Sequence, residues 1–442
     1  MRGAEVVQRL RKRFIFFGRN SSVHGLHYVF EADRSLFCRI FWLLTLIACM
    51  GCLYVMMKHA GHYGVEVNFT PDTRYLNWTT TFPGVTLCEE IATKFALRKF
   101  SALYPDLLNS LNFDHKRYLA DIVFARGECI GTQCGPCGTT VACDVPWRSI
   151  IEHVHKSCSE LVSECSYNDV AFPCCEYFHQ VDSDRGPCFS FNTLQHEGLN
   201  SLFVVNMTTG PGVLMFRLLA DAELSIHSPE ELSTNNHDVK LKHVIRPYSE
   251  NRAELLFSVV EILNDVQLQR ESVEDRGCRY LDEVPEDPLH TYPVYSYGAC
   301  RLAESTKELY QRCGCVHPAR DLTYENIFCN YTGINCWNAY EARKAKLGVD
   351  KSAKEDCVPS CVESELKTIH YRKRWVKDQP GEGTLVEVKM ISLPTLRYQR
   401  NLLRDNLDLV VAVGGTVGLF FSASILSLLE VFYLLLRPPV NL

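Results

Sequence analysis

Leu409-Val410-Val411-Ala412-Val413-Gly414-Gly415-Thr416-Val417-Gly418-Leu419-Phe420-Phe421-Ser422-Ala423-Ser424-Ile425-Leu426-Ser427-Leu428-Leu429 is a run of 21 uncharged residues between Asp408 and Glu430. At about 1.5 Å of rise per residue it matches a hydrocarbon core of roughly 30 Å. The run predicts a membrane-spanning helix over 409–429, followed by a short tail, 430–442. A plain anchor would be Leu and Val throughout, yet this run carries Gly414, Gly415, Gly418, Ser422, Ser424 and Ser427. Gly414, Gly418 and Ser422 recur every four residues and share one helix face. Such a face lets helices approach closely in lipid. Repeated around a symmetry axis, the same face lines a pore.

A second uncharged run, 40–57, reads IFWLLTLIACMGCLYVMM. It is preceded by 39 residues and lacks an A-x-A-like cleavage site, which favours a first membrane helix over a cleaved signal. Residues 1–35 hold seven Lys/Arg against three acids, so the segment 1–39 is expected in the cytoplasm. Two spans return the tail to the same side. The segment 58–408 then lies outside the cell.

That segment holds 37 basic and 48 acidic residues, a net of −11, which argues against a nucleic-acid partner. It also holds 18 of the 21 cysteines: Cys88, Cys129, Cys134, Cys137, Cys143, Cys158, Cys165, Cys174, Cys175, Cys188, Cys278, Cys300, Cys313, Cys315, Cys329, Cys336, Cys357 and Cys361. An even number confined to one segment predicts up to nine disulfides and an oxidising compartment. Sequons at Asn68, Asn77, Asn206 and Asn330 fit a glycosylated exterior. The pattern predicts one α+β unit. Strands are expected at 81–88, 199–219, 255–266 and 384–391, and helices at 89–104, 150–162 and 301–310.

Several motifs suggest other chemistry. Cys134-Gly135-Pro136-Cys137 is a thioredoxin-type tetrapeptide, but no βαβ pattern frames it and seven more cysteines crowd nearby. Cys313-x-Cys315 with His317 lacks a second pair at zinc spacing. No GxSxG, phosphate-binding loop, HExxH or kinase signature occurs, so an enzyme is not expected, nor a metal or cofactor. Asp405 and Asp408 at the outer end of the last run are either solvated interface residues or, in a trimer, six carboxylates around one mouth.

Together these landmarks resemble the degenerin/epithelial sodium channel family. His24-Gly25 is similar to its His-Gly motif. Phe82-Pro83-Gly84-Val85-Thr86-Leu87-Cys88 resembles its F-P-A/G-V-T-x-C motif, and Gly414 to Glu430 its G-G-x-x-G-L-F-x-G/S-x-S…E second span. Arg276-Gly277-Cys278-Arg279-Tyr280-Leu281-Asp282-Glu283 resembles the R-G-C-R-F-x-D-E of the insect pickpocket group. Position 422 is Ser where many members carry Gly.

The resemblance implies an amiloride-sensitive channel for Na⁺ or other monovalent cations in the plasma membrane, with both termini cytoplasmic and a sensory role. It implies a homo- or heterotrimer of related subunits in lipid, opened by an extracellular ligand or stimulus. The ectodomain is then hand-like, with a palm β-sheet and peripheral helices. Ser422, Ala423 and Ser424 are the implied selectivity filter, and Asp405, Asp408 and Glu430 the pore mouths. His24, Gly25, Val411, Ala412, Gly414, Gly415 and Gly418 are the implied gating positions. The alternative is a two-pass cell-surface receptor or lipid transporter without a pore.

Overall fold

The computed structural model describes residues 11, 14–62, 67–90, 93–109, 111–126, 135–139, 141–196, 202–235, 237–287, 289–347, 357–376, 382–402, 406–422 and 424–436. They form two compact units.

The first unit comprises Met1–Asn68, Asp265–Arg276 and Asn401–Leu442. Its longest helix, Leu36–His62, begins four residues before the apolar run. The Ser35 hydroxyl explains the early start, because it accepts the Cys38 N–H (3.4 Å) and so satisfies a donor of the first turn. The stretch Leu36–Met56 is the one described helix long and apolar enough to cross a membrane. Its apolar side chains, such as Phe37 and Leu44, face outward. The last apolar run departs from a single helix: it forms Asn406–Phe421 and Ile425–Leu436, interrupted at Ser422. The upstream piece packs along Leu36–His62.

The second unit comprises Phe69–Asn264 and Gly277–Arg400. Its strands, together with the junction strands at either end, run β1 (Val67–Asp72), β2 (Thr80–Thr81), β3 (Gly84–Glu89), β4 (Val162–Tyr167), β5 (Val170–Phe172), β6 (Phe178–Ser183), β7 (Gly186–Phe191), β8 (Val204–Val205), β9 (Val213–Leu218), β10 (Ala222–His227), β11 (Lys242–Ile245), β12 (Arg252–Asn264), β13 (Glu363–Arg374), β14 (Thr384–Met390) and β15 (Arg397–Leu402). Among the described residues, eight strands form one sheet in the order β1-β15-β12-β14-β9-β4-β5, with β13 also paired to β12. Five form another in the order β11-β10-β3-β7-β6. Strict alternation in β12 and β14 puts Ala253, Leu255, Phe257 and Val259, with Val386, Val388 and Met390, on one buried face. That face packs on Val85, Leu87, Leu224 and Ile226 of the smaller sheet.

Phe82 and Pro83 interrupt β2 and β3, as a strand-start proline requires. The expected strand at 199–219 resolves into the short β8 and β9, and the expected helix at 150–162 into Trp147–Val154 and Cys158–Leu161. His155, Lys156 and Ser157 separate those two helices, and Ser157 caps the second with Glu160. A separate helical core gathers Phe100, Tyr118, Leu119, Ile122, Trp147, Ile151, Tyr331, Ile334 and Trp337. Among the described residues eight disulfides staple the unit: Cys88–Cys188, Cys137–Cys143, Cys158–Cys175, Cys165–Cys174, Cys278–Cys361, Cys300–Cys357, Cys313–Cys336 and Cys315–Cys329. Each stabilises by about 2–4 kcal/mol. Pairing of Cys137, Cys313 and Cys315 leaves no thiolate there for redox or zinc chemistry. Cys129 and Cys134 lie outside the described residues.

Two polar clusters sit inside this unit. Arg397 Nε meets Glu261 Oε2 at 2.5 Å, its Nη2 donates to Thr79 O (2.7 Å), and its guanidinium lies 4.4 Å from the Trp78 ring centre. This joins the segment between β1 and β2 to β12 and β15. Elsewhere Glu230 is 6% exposed, and burial, reinforced by neighbouring Glu231, pushes its pKa up to about 8. The folded value lies above the ordinary 4.5, so folding favours protonated Glu230. Its contribution to stability is complete below the unfolded value and is lost as pH rises through the folded one. We therefore expect the melting temperature of this unit to fall between about pH 5 and pH 9, and Glu230→Gln to flatten that slope in calorimetry.

Candidate functional site

The interruption at Ser422 has a local cause. Ser422 closes the upstream helix by donating its N–H to Gly418 O (2.8 Å) and then turns to φ +50°. That left-handed conformation disfavours any residue with a Cβ by roughly 1–2 kcal/mol, so glycine is the unstrained choice here. Downstream, Ser424 and Ser427 cap each other. Ser424 N–H donates to Ser427 Oγ (3.2 Å) and Ser427 N–H to Ser424 Oγ (3.3 Å). This is a capping box with serine in place of the usual Glu or Gln. The sequence signal was present, as Ser424-x-x-Ser427, inside what reads as a continuous apolar helix.

A broken helix leaves the carbonyls of its last turn without the following helical N–H groups. The N-terminal loop supplies one replacement: His24 N–H donates to Phe421 O at 3.1 Å. Two residues earlier, Ser22 N–H reaches Glu430 Oε2 (3.3 Å), and the Ser22 hydroxyl donates to the same carboxylate. Ser22 Oγ also lies 3.1 Å from the buried Ser427 Oγ. Ser22 and Ser427 were not expected as site residues. No local signal reports a contact between positions 408 apart in the chain.

Gly25 fixes the shape of this loop. It sits at φ +85° at the start of the helix Leu26–Phe30, and a Cβ there would stand 3.1 Å from the Trp42 ring. Tyr28 stacks on the same indole at 4.9 Å. The His24 ring is exposed and makes no hydrogen bond among the described residues, so its backbone is what the site uses. The structure thus brings His24, Gly25, Ser422, Ser424 and Glu430 into one cluster.

The other expected positions lie along the upstream helix. Asp408 falls in its first turn, while Asp405 and Ala423 lie outside the described residues. Val411 and Ala412 are exposed, and the Thr416 hydroxyl donates to Ala412 O (2.6 Å). A Cβ on Gly414 or Gly415 would meet nothing within 4 Å, so nothing in this chain requires glycine there for space. Gly418 accepts the closing hydrogen bond from Ser422. Of the sequons, Asn68, Asn77 and Asn330 are exposed, whereas Asn206 is half-buried and its Oδ1 accepts Thr208 and Thr209 N–H (2.9 Å each).

The sequence profile described as "Amiloride-sensitive sodium channel" matches residues 17–434, from the N-terminal loop through the downstream helix. The chain belongs to the amiloride-sensitive sodium channel family. The family is one of plasma-membrane ion channels rather than enzymes, built from oligomers of related subunits. "Sodium channel protein Nach" of Drosophila melanogaster is 22% identical and aligns over 96% of this chain and 87% of its own length. "Pickpocket protein 28" of the same organism is 21% identical, over 97% and 79%. Human "Acid-sensing ion channel 2" is 22% identical, over 94% and 84%. Membership sets aside the pore-less receptor, lipid-transporter and thiol-oxidoreductase readings. The disulfide-rich, β-rich ectodomain agrees with the expected class.

The bracing contact is open to direct measurement. Ser22→Ala and Glu430→Ala should each lower the melting temperature of the purified protein, and their effects should not add. A double-mutant cycle should return a coupling of about 1–2 kcal/mol. Additive effects would separate the loop from the downstream helix.

Proposed function

We propose that this chain is a subunit of a trimeric, amiloride-sensitive channel for Na⁺ and other monovalent cations, opened by an extracellular stimulus in a sensory cell. Three second spans surround the pore and three first spans stand outside them. Both termini are cytoplasmic, 58–408 is extracellular, and Asn68, Asn77, Asn206 and Asn330 carry glycans. The observation that carries the reading is the interruption at Ser422, braced from the N-terminal side by His24 N–H. A simple anchor gains nothing by breaking its hydrogen-bond ladder in lipid, whereas a passage for ions needs unpaired oxygens facing its axis.

Asp405 and Asp408 draw cations to the outer mouth by concentrating negative charge. At Ser422, Ala423 and Ser424 the ion sheds part of its hydration shell, which serine hydroxyls and freed carbonyls replace. Glu430 forms the inner acidic ring, and its hydrogen bonds to Ser22 hold it in place. Gly414 and Gly415 border open space within one chain, which suits close approach of neighbouring copies. Opening is a two-state rearrangement in which the stimulus favours one packing of these helices over the other. The N-terminal loop at His24 and Gly25 moves with the break. Val411, Ala412 and Gly418 set how the upstream helix seats.

Voltage clamp with ion substitution tests the assignment. Replacing Ala412 with a bulky residue should wedge the helices apart and give constitutive, amiloride-blocked current that reverses near the Na⁺ equilibrium potential. A surface-expressed, assembled variant that stays silent would sink the gating role of this position. A bulky residue at Ser424 should abolish conduction without loss of surface protein. Unchanged conduction there would return the small residues to a packing role.

A further inference from the structure

Strand pairing places like charges side by side on the partly exposed face of the larger sheet. Arg252 of β12 stands directly opposite Arg374 of β13, and Glu254 opposite Arg372. On its other side Glu254 faces Glu387 of β14. Directly opposed like charges destabilise a sheet, so Arg252 beside Arg374 and Glu254 beside Glu387 call for compensation. The carboxylates supply only part of it. Glu254 lies 2.6 Å from Arg374 Nη2, 3.2 Å from Arg252 Nε and 3.8 Å from Arg372 Nε. Glu387 takes Arg252 Nη2 at 3.0 Å.

Three guanidinium groups thus share two carboxylates, and the next row adds Lys389, which meets no acid among the described residues. Each arginine offers five N–H donors, and among the described residues Arg252 and Arg374 each use one in a side-chain hydrogen bond. Arg252 Nε is sealed from solvent and stands 3.2 Å from Glu254 without meeting hydrogen-bond geometry. The arginines remain reachable, with 32%, 48% and 40% of the Arg252, Arg372 and Arg374 side chains exposed. The cluster stands out against a segment, 58–408, that carries 37 basic and 48 acidic residues overall.

We propose that Arg252, Arg372 and Arg374 form a binding site for a small free oxyanion such as sulfate, phosphate or a carboxylate. The planar guanidinium fork matches such a group bidentately. A bound dianion removes the Arg252–Arg374 repulsion and tightens the pairing of β12 with β13. The site is independent of the pore assignment, because none of its residues lies in the spans.

Inorganic sulfate is the probe, applied to the purified full chain with chloride at matched ionic strength as control. Sulfate should raise the melting temperature by about 3 °C beyond chloride and slow amide exchange at 252–254 and 372–374. Arg372→Gln is the decisive variant, because its guanidinium is half-exposed, lies furthest from Glu254 and can be lost without unfolding the sheet. It should lose at least half of the sulfate effect, and Arg372→Lys, which keeps charge but not the fork, should fall between. A rise of equal size in wild type and Arg372→Gln would mean general salting and would overturn the proposal, as would no rise in the wild type.

Discussion

A backbone carbonyl freed inside lipid must find a partner, because no bulk water is there to provide one. The last apolar run of this chain breaks at Ser422, and the groups around the break answer that requirement. The upstream helix closes on itself through Ser422 N–H and Gly418 O. The downstream helix opens on the reciprocal Ser424–Ser427 cap. The Phe421 carbonyl accepts from a segment that precedes the first span, His24 N–H. Gly25 is tied to this solution, since only a residue tolerant of φ +85° and of the Trp42 ring beside it lets the loop arrive in this shape. The short His-Gly pair and the long apolar run are therefore two parts of one structure.

The second unit meets a different constraint. It is drawn from two separate stretches, Phe69–Asn264 and Gly277–Arg400, that must hold one shape. Two sheets with a shared aromatic and aliphatic core supply most of the stability, and eight disulfides among the described residues limit the unfolded chain. At the base of the larger sheet, Arg397 joins Glu261, Thr79 and the Trp78 ring. A buried ion pair of this kind is costly to half-remove, by about 3–5 kcal/mol, because the surviving charge has no water to turn to. It therefore holds the segment between β1 and β2 against β12 and β15.

Much of this was legible in the sequence because it depends on composition and period. The alternation in β12 and β14, the apolar run at 40–57 and the confinement of 18 cysteines to one segment are all local or countable. The Gly-Ser richness of the last run marked the right place, and the His-Gly pair marked its partner segment. The helix break itself was hidden, since apolar continuity outweighs a Ser-x-x-Ser cap in any reading by hydropathy. Ser22 and Ser427 were hidden for another reason: their contact with Glu430 is made by folding and leaves no trace in either neighbourhood. The split of 199–219 into two strands was lost because turn residues there, Asn206 to Gly212, interrupt a stretch that is still largely apolar.

The account stands on the claim that the ions pass the break in the second span. The most direct measurement is cadmium block of a Ser422→Cys channel opened by a bulky residue at position 412, recorded against the same channel with Ser422 intact. The last apolar run has no cysteine of its own, so a thiol at 422 is a new and local metal ligand there. The account predicts rapid block by low external cadmium, relieved by a chelator, in the cysteine channel and not in its control. A cysteine channel that conducts normally and ignores cadmium from either side would place the ion path elsewhere.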